Sequence, residues 1–260
     1  MLKQITPMIL TFNEAPNIGR VLQKLAWADE VLIVDSFSDD ETAAIARARP
    51  GARILQRRFD TFANQCNYGL EHVRTEWVLS LDADYFLSDE LLQEITALAP
   101  SETTIGYRAN FKYCIYGRHL RASLYPPRTV LYRKSRARYR DEGHGHRVEI
   151  EGNVQELSGV ISHDDHKPLD RWFSEQLKYA AREAEHLERT PAQALNRVDR
   201  LRRWVFAAPV AVFLYTLIFR GLLLDGWRGW FYAFQRTVAE LLLSLKLLER
   251  RFNKKSESPQ

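Results

Sequence analysis

The chain has 260 residues, of which 45% are hydrophobic and 27% charged, with a formal net charge of +4; that is room for one sizeable domain plus an appendage, by the usual allowance of roughly 100–200 residues per domain. This composition excludes wholesale disorder, and two cysteines without a pair spacing, Cys66 and Cys114, speak against a disulfide framework or a zinc site. The first residues enter a strand-like segment without a charged-then-apolar leader, which gives the expectation of a cytoplasmic chain.

Gln4–Thr11 reads as a first strand that stops at Phe12-Asn13-Glu14, and Pro16-Asn17-Ile18-Gly19 opens a helix with Ile18, Val21, Leu22 and Leu25 on its apolar side. Glu30–Val34 is nearly all apolar, as a parallel strand covered on both faces should be. It ends in the polar loop Asp35–Thr42, which leads into a helix over about Glu41–Arg49. Pro50-Gly51 turns into a short strand at Arg53–Gln56, a helix covers Phe62–Val73, and a fourth strand starts at Trp77. Strand and helix thus alternate four times over short connections, which predicts a parallel, doubly wound sheet in this half. Ligands of such sheets gather at the carboxyl ends of the strands, where polar loops follow the first, second and fourth. No Gly-x-Gly-x-x-Gly or Gly-Lys-Ser/Thr loop is present, which disfavours dinucleotide cofactors and phosphate-loop hydrolysis.

The fourth strand runs out in Leu81-Asp82-Ala83-Asp84. A turn after Leu81 lets both reach one hard cation with room left for phosphate oxygens; the other reading is a solvated strand end and a helix cap. After a helix at about Asp89–Leu98, strands are expected at Ile105–Tyr116, Thr129–Arg133, Val148–Ile150 and Gly159–Ser162. Between them lies Arg140-Asp141-Glu142-Gly143-His144-Gly145-His146-Arg147, two acids among basic residues and glycines, which reads as an active-site loop.

Taken together, Leu10-Thr11-Phe12-Asn13-Glu14, Val34-Asp35-Ser36-x-Ser38-Asp39-x-x-Thr42 and Leu81-Asp82-Ala83-Asp84 resemble the inverting family-2 glycosyltransferases. Tyr116-Gly117-Arg118, Ser123-Leu124-Tyr125-Pro126-Pro127, Glu142-Gly143-His144 and His163-Asp164-Asp165-x-Lys167-Pro168 narrow the likeness to the branch of the lipopolysaccharide inner-core β-1,4-glucosyltransferases. The resemblance covers roughly Thr6 to Leu187. It implies a GT-A fold, a Rossmann-like mixed α/β sheet that binds a nucleotide-diphospho-sugar, with a divalent ion, Mn²⁺ or Mg²⁺, as cofactor. It implies Asp84 as direct metal ligand, Asp82 on the metal or the ribose, and His163 as an extra metal or phosphate contact. Thr11, Asn13, Glu14 and Asp35 are implied to line the nucleoside pocket, where a carboxylate such as Asp35 accepts the uracil imide N–H, so the donor expected is a UDP-sugar. Arg58 either reaches the nucleotide or is a plain surface arginine. The family's base position falls on Glu142, a glutamate where aspartate is more usual, with Asp141 as second candidate; such a base deprotonates the acceptor hydroxyl. Arg171 and Trp172 either floor the acceptor site or anchor a helix.

Leu169–Arg189 is a charged helix broken by Thr190-Pro191. Trp204–Phe219 is uncharged over sixteen residues; as a helix it spans roughly 24 Å, short of a bilayer core of about 30 Å. Pro209 is expected to kink it, and Trp230–Glu249 forms a second apolar helix with Arg236, Glu240 and Ser244 as a polar stripe. Tryptophans and arginines at their ends suit a membrane interface. These features predict a helical hairpin lying in one leaflet, or else an oligomerisation element. The organisation expected is a catalytic domain over 1–168, a connecting helix over 169–190, a membrane-association region over 191–252 and a disordered tail over 253–260. The expected partners are a UDP-sugar, a lipid-linked glycan and anionic lipid at the cytoplasmic face of the inner membrane, with a homo-oligomer possible. Nucleic acid is disfavoured, because the basic clusters at Arg133–Arg140, Arg200–Arg203 and Arg250–Lys255 form no single aromatic-studded face. Polyprenyl-linked or exopolysaccharide precursors are alternative acceptors, and a catalytically silent membrane adaptor is the alternative from a different class.

Overall fold

The structure, a computed structural model, describes residues 1–142 and 145–257, the side chains of Glu142 and of residues 254–257 apart. Gly143, His144 and the last three residues lie outside it, and with them the centre of the Glu142-Gly143-His144 motif. The described chain divides into two compact units, one of residues 1–119 and 125–167, the other of residues 120–124 and 168–260.

In the first unit, β1 (Ile5–Thr11), α1 (Ala15–Lys24), β2 (Val31–Asp35), α2 (Thr42–Arg47), β3 (Ala52–Gln56), α3 (Phe62–His72) and β4 (Trp77–Asp82) alternate as the sequence predicts. They give the parallel run β3-β2-β1-β4. Every residue of β2 is buried, which is why its sequence carries no period-2 alternation. The chain continues through β5 (Tyr85–Leu87), α4 (Asp89–Ala97), β6 (Thr104–Ile115), β7 (Arg118–His119), β8 (Arg128–Arg133), β9 (Ala137–Glu142), β10 (Gly145–Ile150) and β11 (Asn153–His163). Here the parallel rule ends. β8 lies antiparallel to β4, β6 antiparallel to β8, β11 parallel to β6, and β5 closes the far edge antiparallel to β11. The sheet is mixed. β9 and β10 form a separate antiparallel pair.

Two apolar layers hold the sheet. Ile18, Val21, Leu22 and Leu25 join Ile9, Ile33, Leu79, Leu91 and Ile95 on one side. Cys66 and Leu70 join Met8, Leu32, Val78, Tyr132 and Tyr139 on the other. Capping fits the sequence: Thr61 accepts from the Asn64 amide at 3.2 Å to start α3, and Ser88 from the Leu91 amide at 3.1 Å to start α4. Gly159 lets β11 meet α4, since a Cβ there would lie 2.4 Å from the Leu91 Cα. Both cysteines are buried and free.

The second unit is helical: α5 (Leu169–Arg189), α6 (Arg197–Arg202), α7 (Ala207–Leu214) running into a π-helical stretch Tyr215–Phe219, and α8 (Trp227–Glu257). Its core joins Ala180, Ala184 and Leu187 to Leu195, Val205, Leu243 and Leu247. Pro209 does not kink a long helix; it sits in the first turn of α7, where its missing N–H has no helical partner to lose. The expected polar stripe on α8 turns inward. Glu240 pairs with Arg202 at 2.8 Å, and the Ser244 hydroxyl donates to the Val205 carbonyl at 2.6 Å. α8 continues to Glu257, past the point where a disordered tail is expected. Among the described residues no helix is long and apolar enough to cross a membrane.

Candidate active site

The parallel registers align three functional positions. Thr11 pairs with Asp35 across β1 and β2, and Leu10 with Asp82 across β1 and β4, so Thr11, Asp35 and Asp82 end neighbouring strands at one edge. Asp35 is 1% exposed. Its carboxylate accepts from the Thr11 hydroxyl (3.0 Å), the Ser38 hydroxyl (2.5 Å) and amide (3.0 Å), and the Gln56 side chain (3.5 Å). The acid expected to face a nucleobase therefore sits beneath the loop and shapes it. Asn13 and Phe37 adopt left-handed backbone, with φ of 56° and 62°. The Asn13 amide donates to the Ser38 hydroxyl at 2.8 Å, and the Asp39 amide to Asn13 Oδ1 at 2.8 Å. Exposed at this rim are the rings of Phe12 and Phe37, with the Arg58 guanidinium 5.9 Å from the Phe37 centroid.

Behind the rim, Glu14 takes Lys167 Nζ at 2.9 Å and the Asn17 amide at 3.0 Å. Burial pushes its carboxyl up to about 7 against the opposing pull of Lys167. Asn17, fully buried, also donates to Asp165 (2.8 Å) and accepts from the His166 amide (3.0 Å). Asp164 takes Arg20 at 2.5 Å and the Gly117 amide at 3.2 Å. The segment from His163 to Lys167 is thus a clasp across the start of α1.

The clasp begins at the second strand-end acid. β5 pairs with β11 so that Tyr85 faces His163, which brings the preceding Asp84 beside the imidazole. His163 Nε2 lies 3.0 Å from Asp84 Oδ2. Burial favours the neutral carboxyl, but His163 and Lys167 outweigh it and hold Asp84 at about 2; burial likewise disfavours the imidazolium, and Asp84 reverses that, so His163 is raised. Among the described residues, Asp84 Oδ1 and His163 Nδ1 are both buried without a hydrogen-bond partner. Rings of Tyr85, Tyr113 and Tyr125 stand 4.7–5.4 Å from the imidazole. A buried carboxylate oxygen without a donor suits a hard cation, so the residues fit a divalent ion. They fit it sparsely: among the described residues no group of three or more His, Cys, Asp or Glu side chains is arranged to hold a metal. Magnesium-type ions are often bound through one or two carboxylates, with substrate phosphates completing the shell.

Sequence reasoning missed Arg128. It opens β8 directly after Pro126-Pro127, and its guanidinium stacks 4.8 Å from the Tyr125 centroid, within electrostatic reach of Asp82 and Tyr85. The one available signal was a basic residue starting a strand after a Pro-Pro turn. His146 of β10 feels Arg128, Asp82 and Asp141; burial is the main reason its imidazole is lowered. Of the two candidate bases, Asp141 Oδ1 accepts the Ala63 amide at 3.1 Å and so caps α3. Glu142 ends β9, and its side chain lies outside the described residues. Arg171 and Trp172 stand in the first turn of α5 in the second unit, Arg171 paired with Glu175 at 3.1 Å and Trp172 against Phe173.

Residues 8–153 match the family described as Glycosyl transferase family 2. The "Lipopolysaccharide core biosynthesis glycosyltransferase LpsC" of Rhizobium meliloti (strain 1021) is 28% identical over 265 residues, 95% of this chain and 92% of that protein. An uncharacterized glycosyltransferase of Rickettsia bellii (strain RML369-C) is 35% identical over 108 residues; the match takes in 41% of this chain and only 36% of that relative's length. Among solved structures, S. aureus TarS 1-349 is 15% identical, covering 96% of this chain and 92% of its own, at a TM-score of 0.46. Glucosyl-3-phosphoglycerate synthase from Mycobacterium tuberculosis, solved with Mn²⁺, UDP and phosphoglyceric acid, is 15% identical over 70% of this chain and 78% of its own, at 0.43. With more than half of its length matched to the family, the chain belongs to glycosyl transferase family 2 and is a glycosyltransferase with the mixed sheet of a GT-A fold.

Proposed function

We propose that the chain is an inverting glycosyltransferase that moves a hexose, glucose first, from a UDP-sugar to a lipid-carried glycan such as a lipopolysaccharide core, at the cytoplasmic face of the inner membrane. The observation that carries the donor half is the buried Oδ1 of Asp84, without a partner among the described residues, at the strand edge beside Asp82, with Arg128 within electrostatic reach of Asp82. The near full-length likeness to LpsC supports the acceptor class.

The nucleoside lies at the rim made by Phe12, Phe37 and Arg58, on a loop that Thr11, Asp35 and Asn13 hold in shape. Asp84, aided by Asp82, would hold a divalent ion, which would supply Lewis-acid stabilisation of the departing diphosphate. Arg128 adds a fixed positive charge that needs no reorganisation as the bond breaks. The acceptor oxygen attacks the anomeric carbon from the side opposite UDP, so the new bond inverts the configuration. Its proton passes to Glu142, and the electron pair of the breaking bond leaves with the diphosphate. The engagement of Asp141 with the Ala63 amide supports Glu142 over Asp141 as the base.

The test is a panel of nucleotide sugars, each incubated with the enzyme and a delipidated or intact lipopolysaccharide-core acceptor, followed by NMR of the product. A β-linked hexose from UDP-glucose is expected. An α-linked product, or transfer to a polyprenyl phosphate in preference, contradicts the reading.

A further inference from the structure

The second unit exposes an apolar face that its fold does not cover. On α8 the exposed large side chains are Trp227, Trp230, Phe234, Leu241, Leu245 and Phe252; these three-, four- and seven-residue steps fall on one side of a helix. Phe206, Val210, Leu214 and Ile218 make a second stripe at four-residue spacing over α7 and the π-helical stretch. Phe213 stacks on Phe234 at 5.9 Å, so the two stripes run side by side. Exposure is greatest at the two ends: Trp204 at 74% and Phe206 at 80%, then Phe219 at 79% and Leu224 at 69%. Monomeric proteins rarely leave a contiguous apolar patch of such breadth open to water.

Charge marks both ends. Arg203 and Arg251 line a cleft of ≈ 310 Å³ together with Trp204, Phe206 and Leu248. Arg203 is steadied by the carbonyls of Leu187 and Thr190, and Arg251 donates to the Arg203 carbonyl at 2.8 Å. At the other end Arg220 donates to the Ser123 carbonyl at 2.9 Å, beside Phe219 and the Leu223-Leu224 turn. None of these three guanidiniums meets a carboxylate among the described residues. An apolar face bounded at both ends by unpaired arginines complements an anionic bilayer surface: acyl chains in the middle and phosphates at the rim. A second copy of the chain fits less well, because it brings the same uncompensated arginines to the same edges.

We propose that the second unit docks flat on an anionic lipid bilayer through this face. The two stripes face the acyl region, with Trp204, Phe206, Phe219, Leu223 and Leu224 entering it at the ends, and Arg203, Arg251 and Arg220 take lipid phosphates at the rim. Flat docking follows from the opposite side of α8. There Glu240 sits within 2.8 Å of Arg202, itself 3.3 Å from Glu183 and Asp199, a buried ionic cluster that belongs inside a protein and not in lipid. The docking face rests on the membrane location proposed above and fixes which side of α7 and α8 meets the lipid. It does not depend on which donor or acceptor the enzyme uses.

The experiment is flotation of the full-length protein with vesicles of phosphatidylcholine alone or mixed with phosphatidylglycerol. Wild type floats with the mixed vesicles and is released by raised salt. The paired substitutions Trp204→Ser with Phe206→Ser, and Leu223→Ser with Leu224→Ser, each lower the partition coefficient by at least about tenfold. Arg220→Gln with Arg251→Gln removes the preference for phosphatidylglycerol while weak binding to the apolar surface remains. Far-UV circular dichroism and donor hydrolysis stay unchanged in all of them, so loss of docking is distinguishable from loss of fold or chemistry. On wild type alone, brominated lipids quench tryptophan fluorescence. Absence of flotation and quenching overturns the proposal, as does unchanged partition in the serine variants. Sedimentation equilibrium showing a dimer that the serine substitutions dissociate overturns it too, and assigns the face to a second copy.

Discussion

His163 Nε2 meets Asp84 Oδ2 at 3.0 Å while the other oxygen of the acid and the other nitrogen of the imidazole are buried without partners. The pair is half-satisfied on both sides, which is costly in a protein interior unless something else completes it. In the proposed reaction His163 positions the acid and leaves its second oxygen for the divalent ion. Replacing His163 with Ala leaves a buried carboxylate unpaired and should cost about 3–5 kcal/mol of stability in metal-free protein. Urea unfolding measures it, and added Mn²⁺ should restore more stability to this variant than to wild type.

Arg128 should act on the diphosphate. Arg128→Ala is expected to lower kcat/KM for the donor about ten- to a hundredfold, the range of a lost charge-assisted hydrogen bond. Arg128→Lys should recover only part, because an ammonium cannot reproduce the planar fork or its stacking on Tyr125. Equal activity of all three proteins at limiting donor would remove Arg128 from the site.

Asn17 ties the start of α1 to the clasp through two hydrogen bonds, with Asp165 and the His166 amide, and holds Glu14 with a third. It is fully buried, so Asn17→Ala strands several polar groups and should destabilise by about 2–4 kcal/mol. The melting temperature reports this, and donor affinity should weaken with it as the clasp loosens.

The carboxyl of Glu14, raised by burial to about 7 from 4.5, sets a pH dependence. The folded state holds this proton more tightly than the unfolded chain. Its contribution is therefore fully present below pH 4.5 and lost as pH rises through 7. Unfolding free energy should fall between those values more steeply in wild type than in Glu14→Gln, and parallel curves would show that Glu14 does not titrate there.

The parallel half was legible because burial on both faces leaves a local mark, as in the unbroken apolar run of β2. β5 left none: three residues, Tyr85–Leu87, pair with the distant β11, and only that pairing puts His163 beside Asp84. β9 did carry a signal, with buried Tyr139 between exposed Arg138 and Arg140, but its arginines read as a basic cluster. The place of Asp82 and Asp84 at the end of β4 was legible from the apolar run before them. Arg128 was not, since its burial against Tyr125 exists only after folding. Around Asp35 the convergence of Thr11, Ser38 and Gln56 exists only after folding, and the sequence does not show it.

The central claim is metal-assisted departure of UDP from a hexose at the Asp82–Asp84 edge. The most direct test is UDP release from UDP-glucose by the full-length enzyme with lipopolysaccharide-core acceptor, with and without Mn²⁺, for wild type, Asp84→Asn and Glu142→Gln. Wild type should release UDP only with the metal and lose it on chelation. Asp84→Asn should lose metal-dependent UDP binding and turnover together, while Glu142→Gln should keep binding and lose turnover by about a hundredfold or more. UDP release that is indifferent to chelator and unchanged in Asp84→Asn would contradict the account.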